Sequence, residues 1–139
     1  MAALHLSRLI DKYPLITRLG DGDPAIEHIW YDSRNVTPGD LFVALPGYHV
    51  DGHAYIDDAT TKGAAVVVCE TLPETVHDGV IYLHVAHSRT ALSAFSARLA
   101  RHPSRELPVI GVTGTDGKST TTFLIDQFLS LLEEESGFI

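Results

Sequence analysis

Short apolar runs separated by helical stretches are the feature that most constrains this fold. Each run holds four to six residues, mostly valine, isoleucine and leucine, and the runs occupy positions 41–45, 64–69, 80–85 and 109–112. Continuous apolar runs are typical of strands covered on both faces, and strands alternating with helices indicate a parallel sheet. The segment 26–31 is rich in β-branched and aromatic residues and predicts a further strand. We therefore predict the α/β class, with a mostly parallel sheet flanked by helices.

Helical spacing of apolar residues fills the gaps between these runs. It predicts a short helix over 6–10, another from 54 to Gly63, and a third that begins at Ser88 and ends before Pro103. We expect the Ser88 hydroxyl to cap that third helix. A last amphipathic helix follows the 109–112 run, and its apolar face comprises Leu124, Phe128, Leu131 and Leu132. Charge and proline concentrate at 101–108, which predicts a domain boundary there.

Composition limits the partners that this chain can have. The sequence has 139 residues, 18 acidic against 10 basic, and a net charge of −8, so its overall field repels nucleic acid and anionic membranes. Cys69 is the single cysteine and cannot form an internal disulfide. The sequence contains neither a signal-peptide pattern nor the roughly 18 consecutive apolar residues of a spanning helix. We expect a cytoplasmic protein, and the sequence leaves its oligomeric state open.

The strongest chemical signal is a glycine-rich turn at 111–120, which reads GVTGTDGKST. A strand, this turn and a helix would point backbone N–H groups and a helix N-terminus at a phosphate, with Lys118 against the β and γ phosphates and the Ser119 hydroxyl on Mg²⁺. The strict phosphate-loop pattern needs glycine where Val112 stands. The alternative is a turn that only caps a helix. Asp116 is an unusual neighbour for a triphosphate, and we expect its carboxylate to face away from the phosphates or toward the metal.

Two separated motifs resemble the Mur ligase family, and within it the UDP-N-acetylmuramoyl-tripeptide synthetases of the MurE type. The first spans 31–53 and reads YDSRNVTPGDLFVALPGYHVDGH, similar to the family pattern D-S-R-x-V-x-P-G-D-L-F-V-A-x-x-G-x-x-x-D-G-H. The second spans 111–121 and reads GVTGTDGKSTT, similar to G-[VI]-T-G-T-N-G-K-T-T-T. With the spacing between them, these motifs cover nearly the whole chain.

The resemblance implies a domain organisation and a reaction. Residues 1–106 would be the N-terminal domain that binds the UDP end of the substrate, and 107–139 would be the truncated start of the central ATP-binding domain. The family uses ATP and Mg²⁺ to phosphorylate the terminal carboxylate of UDP-N-acetylmuramoyl-L-alanyl-D-glutamate, and the amine of a third amino acid then displaces the phosphate. We expect the 139 residues alone to be inactive, and the apolar face of the last helix to be partly exposed or packed on a neighbouring chain.

The resemblance also assigns residues to each site. Lys118 would act in catalysis at the phosphates and Ser119 would bind the metal, while the ATP-binding set would comprise Gly114, Thr115, Asp116, Gly117, Lys118, Ser119 and Thr120. The uridine site would comprise Tyr31, Ser33, Tyr48, His49 and Val50. Two positions depart from the family pattern. Asp116 stands where asparagine is usual, which weakens the expected nucleotide affinity, and Ser119 replaces threonine but keeps the hydroxyl.

Other interpretations remain open at this stage. From spacing alone, 32–34 is a turn in which Asp and Ser side chains bond nearby backbone. His49 and His53 are four residues apart, but a polar loop is a poor scaffold for a metal site. The whole protein could instead be the ligase that adds D-Ala-D-Ala, or a nucleotide-binding module without catalysis. The identity of the third amino acid is not encoded in this stretch.

Overall fold

The computed structural model describes residues 3–47 and 50–137. The chain divides into two compact units, Met1–Pro103 and Ser104–Ile139. This division falls inside the 101–108 segment where charge and proline concentrate. Tyr48 and His49, two of the residues assigned to the uridine site, lie outside the described residues.

The first unit contains seven short strands and three α-helices among its described residues. In chain order they are β1 (Leu4–His5), α1 (Leu6–Leu9), β2 (Thr17–Leu19), β3 (Ala25–Ile26), β4 (Ile29–Trp30), β5 (Leu41–Val43), α2 (Ile56–Thr61), β6 (Val66–Cys69), β7 (Ile81–His84) and α3 (Ser88–Leu99). Single 3₁₀ turns lie at Ser33–Asn35 and Gly52–Tyr55. A third 3₁₀ turn begins at the end of this unit, at Pro103–Arg105.

The five-stranded sheet has the order β2-β7-β6-β5-β4. Strands β4, β5, β6 and β7 are parallel, and β2 pairs antiparallel with β7 at one edge. The central strands β5, β6 and most of β7 are buried on both faces, as their unbroken apolar runs predict. The predicted α/β fold with a mostly parallel sheet is confirmed.

The sequence predicts one strand over 26–31, but the structure has two short strands there, β3 and β4. Ala25 and Ile26 pair antiparallel with β1 in a separate two-stranded sheet, whereas Ile29 and Trp30 join the large sheet beside β5. The chain thus changes sheet between Ile26 and Ile29, because each end hydrogen-bonds to a different partner strand. Strand β2 is not predicted, since Thr17 and Arg18 are exposed and polar.

Two apolar clusters cover the two faces of the large sheet. One cluster contains α1 and α3 side chains with alternate residues of the central strands, and Phe95 of α3 is fully buried there. The other contains α2 side chains with the intervening strand residues, including Phe42 and Tyr82. The sheet is therefore a middle layer between helices, which leaves the strand ends as the place where a ligand can reach the chain.

The turn that leads into β5 is fixed by Asp40. Gly39 has a φ of +94° and the Asp40 N–H donates to the Thr37 carbonyl at 3.1 Å, as a type II turn requires. The Asp40 carboxylate is buried and accepts hydrogen bonds from the Thr37 N–H and hydroxyl at 2.9 and 2.8 Å. It also accepts one from the Trp30 indole N–H at 2.9 Å and contacts the His28 ring at 3.2 Å. One buried anion therefore ties β4 to the start of β5.

The prediction for the start of α3 is wrong in one detail. Ser88 is the first helical residue rather than the cap, and its hydroxyl donates to the Glu70 carboxylate at 2.8 Å. The same carboxylate accepts the Ser88 N–H at 2.7 Å. Glu70, which follows β6, therefore caps this helix from outside, because a carboxylate can satisfy both donors at the positive end of the helix.

The second unit contains α4 (Lys118–Leu131). The predicted strand at 109–112 is absent among its described residues, and Val109 and Ile110 are exposed. The physical reason is that a strand needs a neighbour to complete its hydrogen bonds, and this segment has no paired strand in the described chain. The residues of the apolar face of α4 are exposed by 49% to 79%, in agreement with the expected partial exposure of this face. They are Leu124, Phe128, Leu131 and Leu132. No helix in the described residues is both long and apolar enough to cross a membrane.

Candidate functional site

A cleft of about 600 Å³ opens at the carboxyl ends of the parallel strands in the first unit. Its walls come from the segment after β4, the segment after β5 and the first turn of α3. In open parallel sheets, ligands bind beyond the carboxyl ends of the strands, where loops can carry binding groups without disturbing the core. The volume is in the range of small-molecule sites.

Three of the five residues assigned to the uridine site line this cleft. They are Tyr31, Ser33 and Val50. Tyr31 and Val50 are exposed by 64% and 58%, so an aromatic ring and an aliphatic side chain are free to pack on a planar base, whereas Ser33 is buried. Tyr48 and His49 lie outside the described residues.

The 32–34 segment is both a capped turn and a wall of the cleft. Asp32 accepts the Arg34 N–H at 3.0 Å at the start of the 3₁₀ turn, and its carboxylate pairs with the Arg34 guanidinium at 2.6 Å. Hydrogen bonds from the Arg34 side chain and backbone lower the pKa of Asp32 to about 2. The local-turn interpretation is therefore correct for the Asp32 side chain, and the same turn presents Ser33 to the cleft.

Ser33 is held from α2. The Lys62 ammonium donates to the Ser33 carbonyl at 3.0 Å and to the Asp58 carboxylate at 2.8 Å. Hydrogen bonds from the Lys62 ammonium and the Ser33 hydroxyl lower the pKa of Asp58. A lysine that follows α2 thus fixes the backbone of a residue that the resemblance assigns to the uridine site.

The 51–53 motif fixes the other wall. Asp51 accepts the His53 N–H at 3.0 Å, and the His53 ring places Nδ1 2.6 Å from the Asp51 carboxylate and Nε2 2.9 Å from the Glu70 N–H, which donates to it. Both ring nitrogens are therefore engaged, so His53 offers no free nitrogen to a metal. No cluster of metal-ligating side chains occurs within residues 3–47 and 50–137. A Cβ on Gly52 would lie 2.6 Å from the Leu45 nitrogen, so only glycine fits there.

Sequence reasoning missed several residues of the cleft, and Arg89 is the most informative. It lies in the first turn of α3, is exposed, and donates from Nη2 to the Pro46 carbonyl at 3.0 Å. Tyr55 and Leu45 also line the cleft. No spacing signal connects positions 46 and 89, because they meet only through the parallel sheet.

The glycine-rich turn in the second unit leads directly into α4. Gly117 has a φ of +74° and immediately precedes the helix, and Gly114 has a φ of +150°. The Lys118 ammonium folds over the turn and donates to the carbonyls of Gly114 and Thr115 at 2.6 and 3.2 Å. The ammonium therefore lies against the turn that precedes α4, and a cation beside a helix N-terminus is a combination that suits phosphate.

The other residues assigned to ATP are all in this turn or the first turn of α4. Asp116, Ser119 and Thr120 are exposed, so their side chains are accessible to a ligand. The strict phosphate-loop pattern is still broken at Val112. The turn nevertheless keeps the glycines at positive φ that its backbone needs.

The fold and these two sites define an α/β protein with a cleft at its strand ends, followed in the chain by a glycine-rich turn at a helix N-terminus. The chain belongs to the Mur ligase family: the family model described as "Mur ligase family, catalytic domain" matches residues 25–100. The matched residues include the whole cleft but not the glycine-rich turn.

Similar proteins carry names from this family. The chain is 51% identical over 105 residues to the UDP-N-acetylmuramyl-tripeptide synthetase of Roseiflexus sp. (strain RS-1), covering 73% of this chain and 20% of that protein. It is 42% identical over 137 residues to the UDP-N-acetylmuramoyl-L-alanyl-D-glutamate--2,6-diaminopimelate ligase of Clostridium tetani, covering 97% and 27%. The chain thus spans about a quarter of the length of the curated relatives it matches.

Solved structures give the same fold. MurF from Acinetobacter baumannii aligns with a TM-score of 0.68 and 27% identity, over 94% of this chain and 28% of that one. The MurF ligase from Thermotoga maritima, solved in complex with ADP, aligns with a TM-score of 0.57 and 33% identity, over 76% and 23%.

Proposed function

We propose that this chain forms the substrate-binding region and the first nucleotide-binding element of an ATP-dependent amide ligase of peptidoglycan precursor synthesis. The reaction would add the third amino acid to UDP-N-acetylmuramoyl-L-alanyl-D-glutamate. The observation that carries the proposal is the cleft in which Tyr31, Ser33 and Val50 come together although they are up to 19 positions apart. The names of the relatives at 51% and 42% identity support the same step.

Each part of the cleft suits one part of a uridine nucleotide. The exposed Tyr31 ring and Val50 side chain offer apolar surface to the base, while the backbone around Ser33 is held rigidly by Lys62. A preorganised wall reduces the entropy lost on binding, because the turn that carries Ser33 is already held in place by hydrogen bonds. Tyr48 and His49 complete the proposed uridine site by resemblance to the family.

The glycine-rich turn suits ATP and Mg²⁺. Lys118 would move from the turn carbonyls to the β and γ phosphates, and the Ser119 hydroxyl would bind the metal, with Gly114, Thr115, Asp116, Gly117 and Thr120 completing the set. When bound, ATP supplies the phosphoryl group that activates the substrate carboxylate. The part this chain would perform is placement and charge neutralisation of the phosphates. Ligation would also need the remainder of the protein, so the 139 residues alone would be inactive.

A second candidate is the ligase that adds D-Ala-D-Ala in the next step. It is favoured by the MurF structure from Acinetobacter baumannii, which aligns over 94% of the chain. The two candidates differ in the peptide that the UDP-linked substrate carries. If this region contacts the peptide, the two candidates are distinguished by titrating the chain with UDP-N-acetylmuramoyl-dipeptide and with the corresponding tripeptide. If it does not, the amino acid or dipeptide that the longer protein incorporates distinguishes them.

The proposal is tested by calorimetric titration of the 139-residue chain with UDP and, separately, with Mg·ATP. We expect UDP to bind, Ser33→Ala to weaken it, and Lys118→Ala to leave it unchanged. Ser93→Ala removes an exposed serine hydroxyl from α3 outside the cleft and serves as the matched control. Thermal melts of each variant separate lost binding from lost folding. Failure of the wild-type chain to bind UDP or the UDP-linked dipeptide would refute the proposal, and tight ATP binding without UDP binding would favour a nucleotide-binding module.

A further inference from the structure

The charged side chains that line the cleft do not contribute equally to its electrostatic field. They are Asp32, Arg34 and Arg89. Asp32 and Arg34 form a bidentate pair through Nε and Nη2, so their charges largely cancel. Arg89 forms no ion pair with any residue in the described part of the chain. Among the described residues that line the cleft, Arg89 is therefore the charged side chain without an ion-pair partner, in a chain whose net charge is −8.

The geometry at Arg89 leaves most of its donors available. Within residues 3–47 and 50–137, Arg89 donates only from Nη2, to the Pro46 carbonyl at 3.0 Å, and the side chain is exposed. A guanidinium has five N–H donors in a planar fork that matches two phosphate oxygens. The N-terminus of α3 beside it is already occupied, because the Glu70 carboxylate accepts both donors of Ser88. The Arg89 side chain, rather than the helix end, is thus the group available to an anion.

We propose that Arg89 binds the diphosphate of the uridine nucleotide while its Nη2 holds the Pro46 carbonyl. This inference rests on the proposed function, and it assigns a binding residue that neither sequence motif contains. One side chain would join two walls of the cleft, the segment after β5 and the start of α3, and would present its remaining N–H groups to the phosphates. The base would then lie toward Tyr31 and Val50, and the diphosphate toward α3.

The test compares uridine, which has no phosphate, with UDP. We expect wild type to bind UDP more tightly than uridine. In Arg89→Met the UDP affinity falls about 10-fold or more, since a lost charge-assisted contact of this kind has that size, while uridine affinity changes less than about 2-fold. Arg89→Lys keeps the positive charge but loses the planar fork of donors, so we expect its UDP affinity to lie between those of wild type and Arg89→Met. Arg8→Met, at an exposed position of α1 and outside the cleft, is the matched control and leaves both affinities unchanged.

Salt dependence provides a second readout. UDP affinity of wild type falls as ionic strength rises, and Arg89→Met shows a flatter dependence because the screened contact is gone. Equal losses for uridine and UDP in Arg89→Met would mean that Arg89 only supports the Pro46 loop, and unchanged UDP affinity would mean that it touches no phosphate; either result overturns the inference. If the wild-type chain binds neither ligand, the proposed function itself is wrong and the role of Arg89 with it.

Discussion

Removing the Asp40 carboxylate tests how strongly one buried anion organises this fold. Its Oδ2 accepts three hydrogen bonds, from the Thr37 N–H, the Thr37 hydroxyl and the Trp30 indole, all within 2.9 Å. Asp40→Ala leaves these donors without an acceptor in a buried site. Asp40→Asn keeps the shape and one acceptor oxygen but removes the charge.

The expected magnitudes follow from the number and type of these bonds. A hydrogen bond to a charged group contributes about 1.5–3 kcal/mol, and the three bonds share one oxygen, so they are not additive. We expect Asp40→Ala to lower the free energy of unfolding by about 3–5 kcal/mol, and Asp40→Asn by about 1.5–3 kcal/mol. For a unit of this size, a loss of 3 kcal/mol lowers Tm by roughly 12–24 °C.

The effect of Asp40→Asn depends on pH. Burial raises the pKa of Asp40, but hydrogen bonds from Thr37, Trp30 and His28 outweigh burial and lower it overall. A lowered pKa in the folded state means that the ionised group stabilises the fold above its unfolded value of about 3.9, and that this contribution disappears as pH falls through the folded value. The difference in the free energy of unfolding between wild type and Asp40→Asn is therefore at its full size at pH 7 and becomes smaller below about pH 4.

Urea unfolding followed by fluorescence measures both effects. Trp30 is the single tryptophan of the sequence and bonds directly to Asp40, so its emission reports on this region. Asp11→Asn changes an exposed carboxylate in the same unit and should cost less than about 0.5 kcal/mol. A loss below about 1 kcal/mol for Asp40→Ala at pH 7 would refute the reasoning, as would a difference for Asp40→Asn that grows toward low pH.

Three further predictions concern other parts of the first unit. Gly52→Ala forces a Cβ against the Leu45 backbone, so we expect a lower Tm and weakened UDP binding; an unchanged Tm would contradict the close contact. Burial raises the pKa of the Cys69 thiol to about 11, so a thiol reagent should react only at the rate of unfolding, and rapid reaction in native buffer would disprove its burial. Hydrogen bonds from the Ser88 N–H and hydroxyl lower the pKa of Glu70 overall, so Glu70→Gln should cost about 1 kcal/mol at pH 7 and less below about pH 4, as measured by urea unfolding at both pH values.

The central strands could be predicted because their side chains are buried on both faces. The Val66–Cys69 strand is apolar at every position and fully buried, so its sequence alone identifies it. Strand β2 could not be found, since Thr17 and Arg18 are exposed and its identity depends on pairing with β7. The run at 109–112 shows the opposite case, because an apolar segment without a partner strand forms no strand.

The candidate site was predictable only in part. The resemblance assigns Tyr31 and Ser33 to the uridine site, whereas the spacing of 32–34 by itself predicts a local turn, and the turn is present. The sequence predicts a helix start at Gly117 and Lys118, and the structure has one there, because a glycine followed by lysine at a helix start has a local physical meaning. Arg89 could not be found from either kind of signal, since its contact with Pro46 spans 43 positions.

The antiparallel edge strand β2 constrains the order in which this chain can fold during its synthesis. Residues 17–19 leave the ribosome early, but β7 at 81–84, the strand with which they pair, is synthesised more than sixty residues later. The hydrogen bond from the Arg98 guanidinium to the Leu9 carbonyl joins residues 89 positions apart, so it can form only after Arg98 has been synthesised, later than β7. Until β7 has been synthesised, residues 17–19 lack the strand with which they pair, because non-local pairing must wait for loop closure. Nascent chains that stall before α3 is complete should therefore be protease-sensitive at their N-terminus, and chains released beyond Leu99 should be protected.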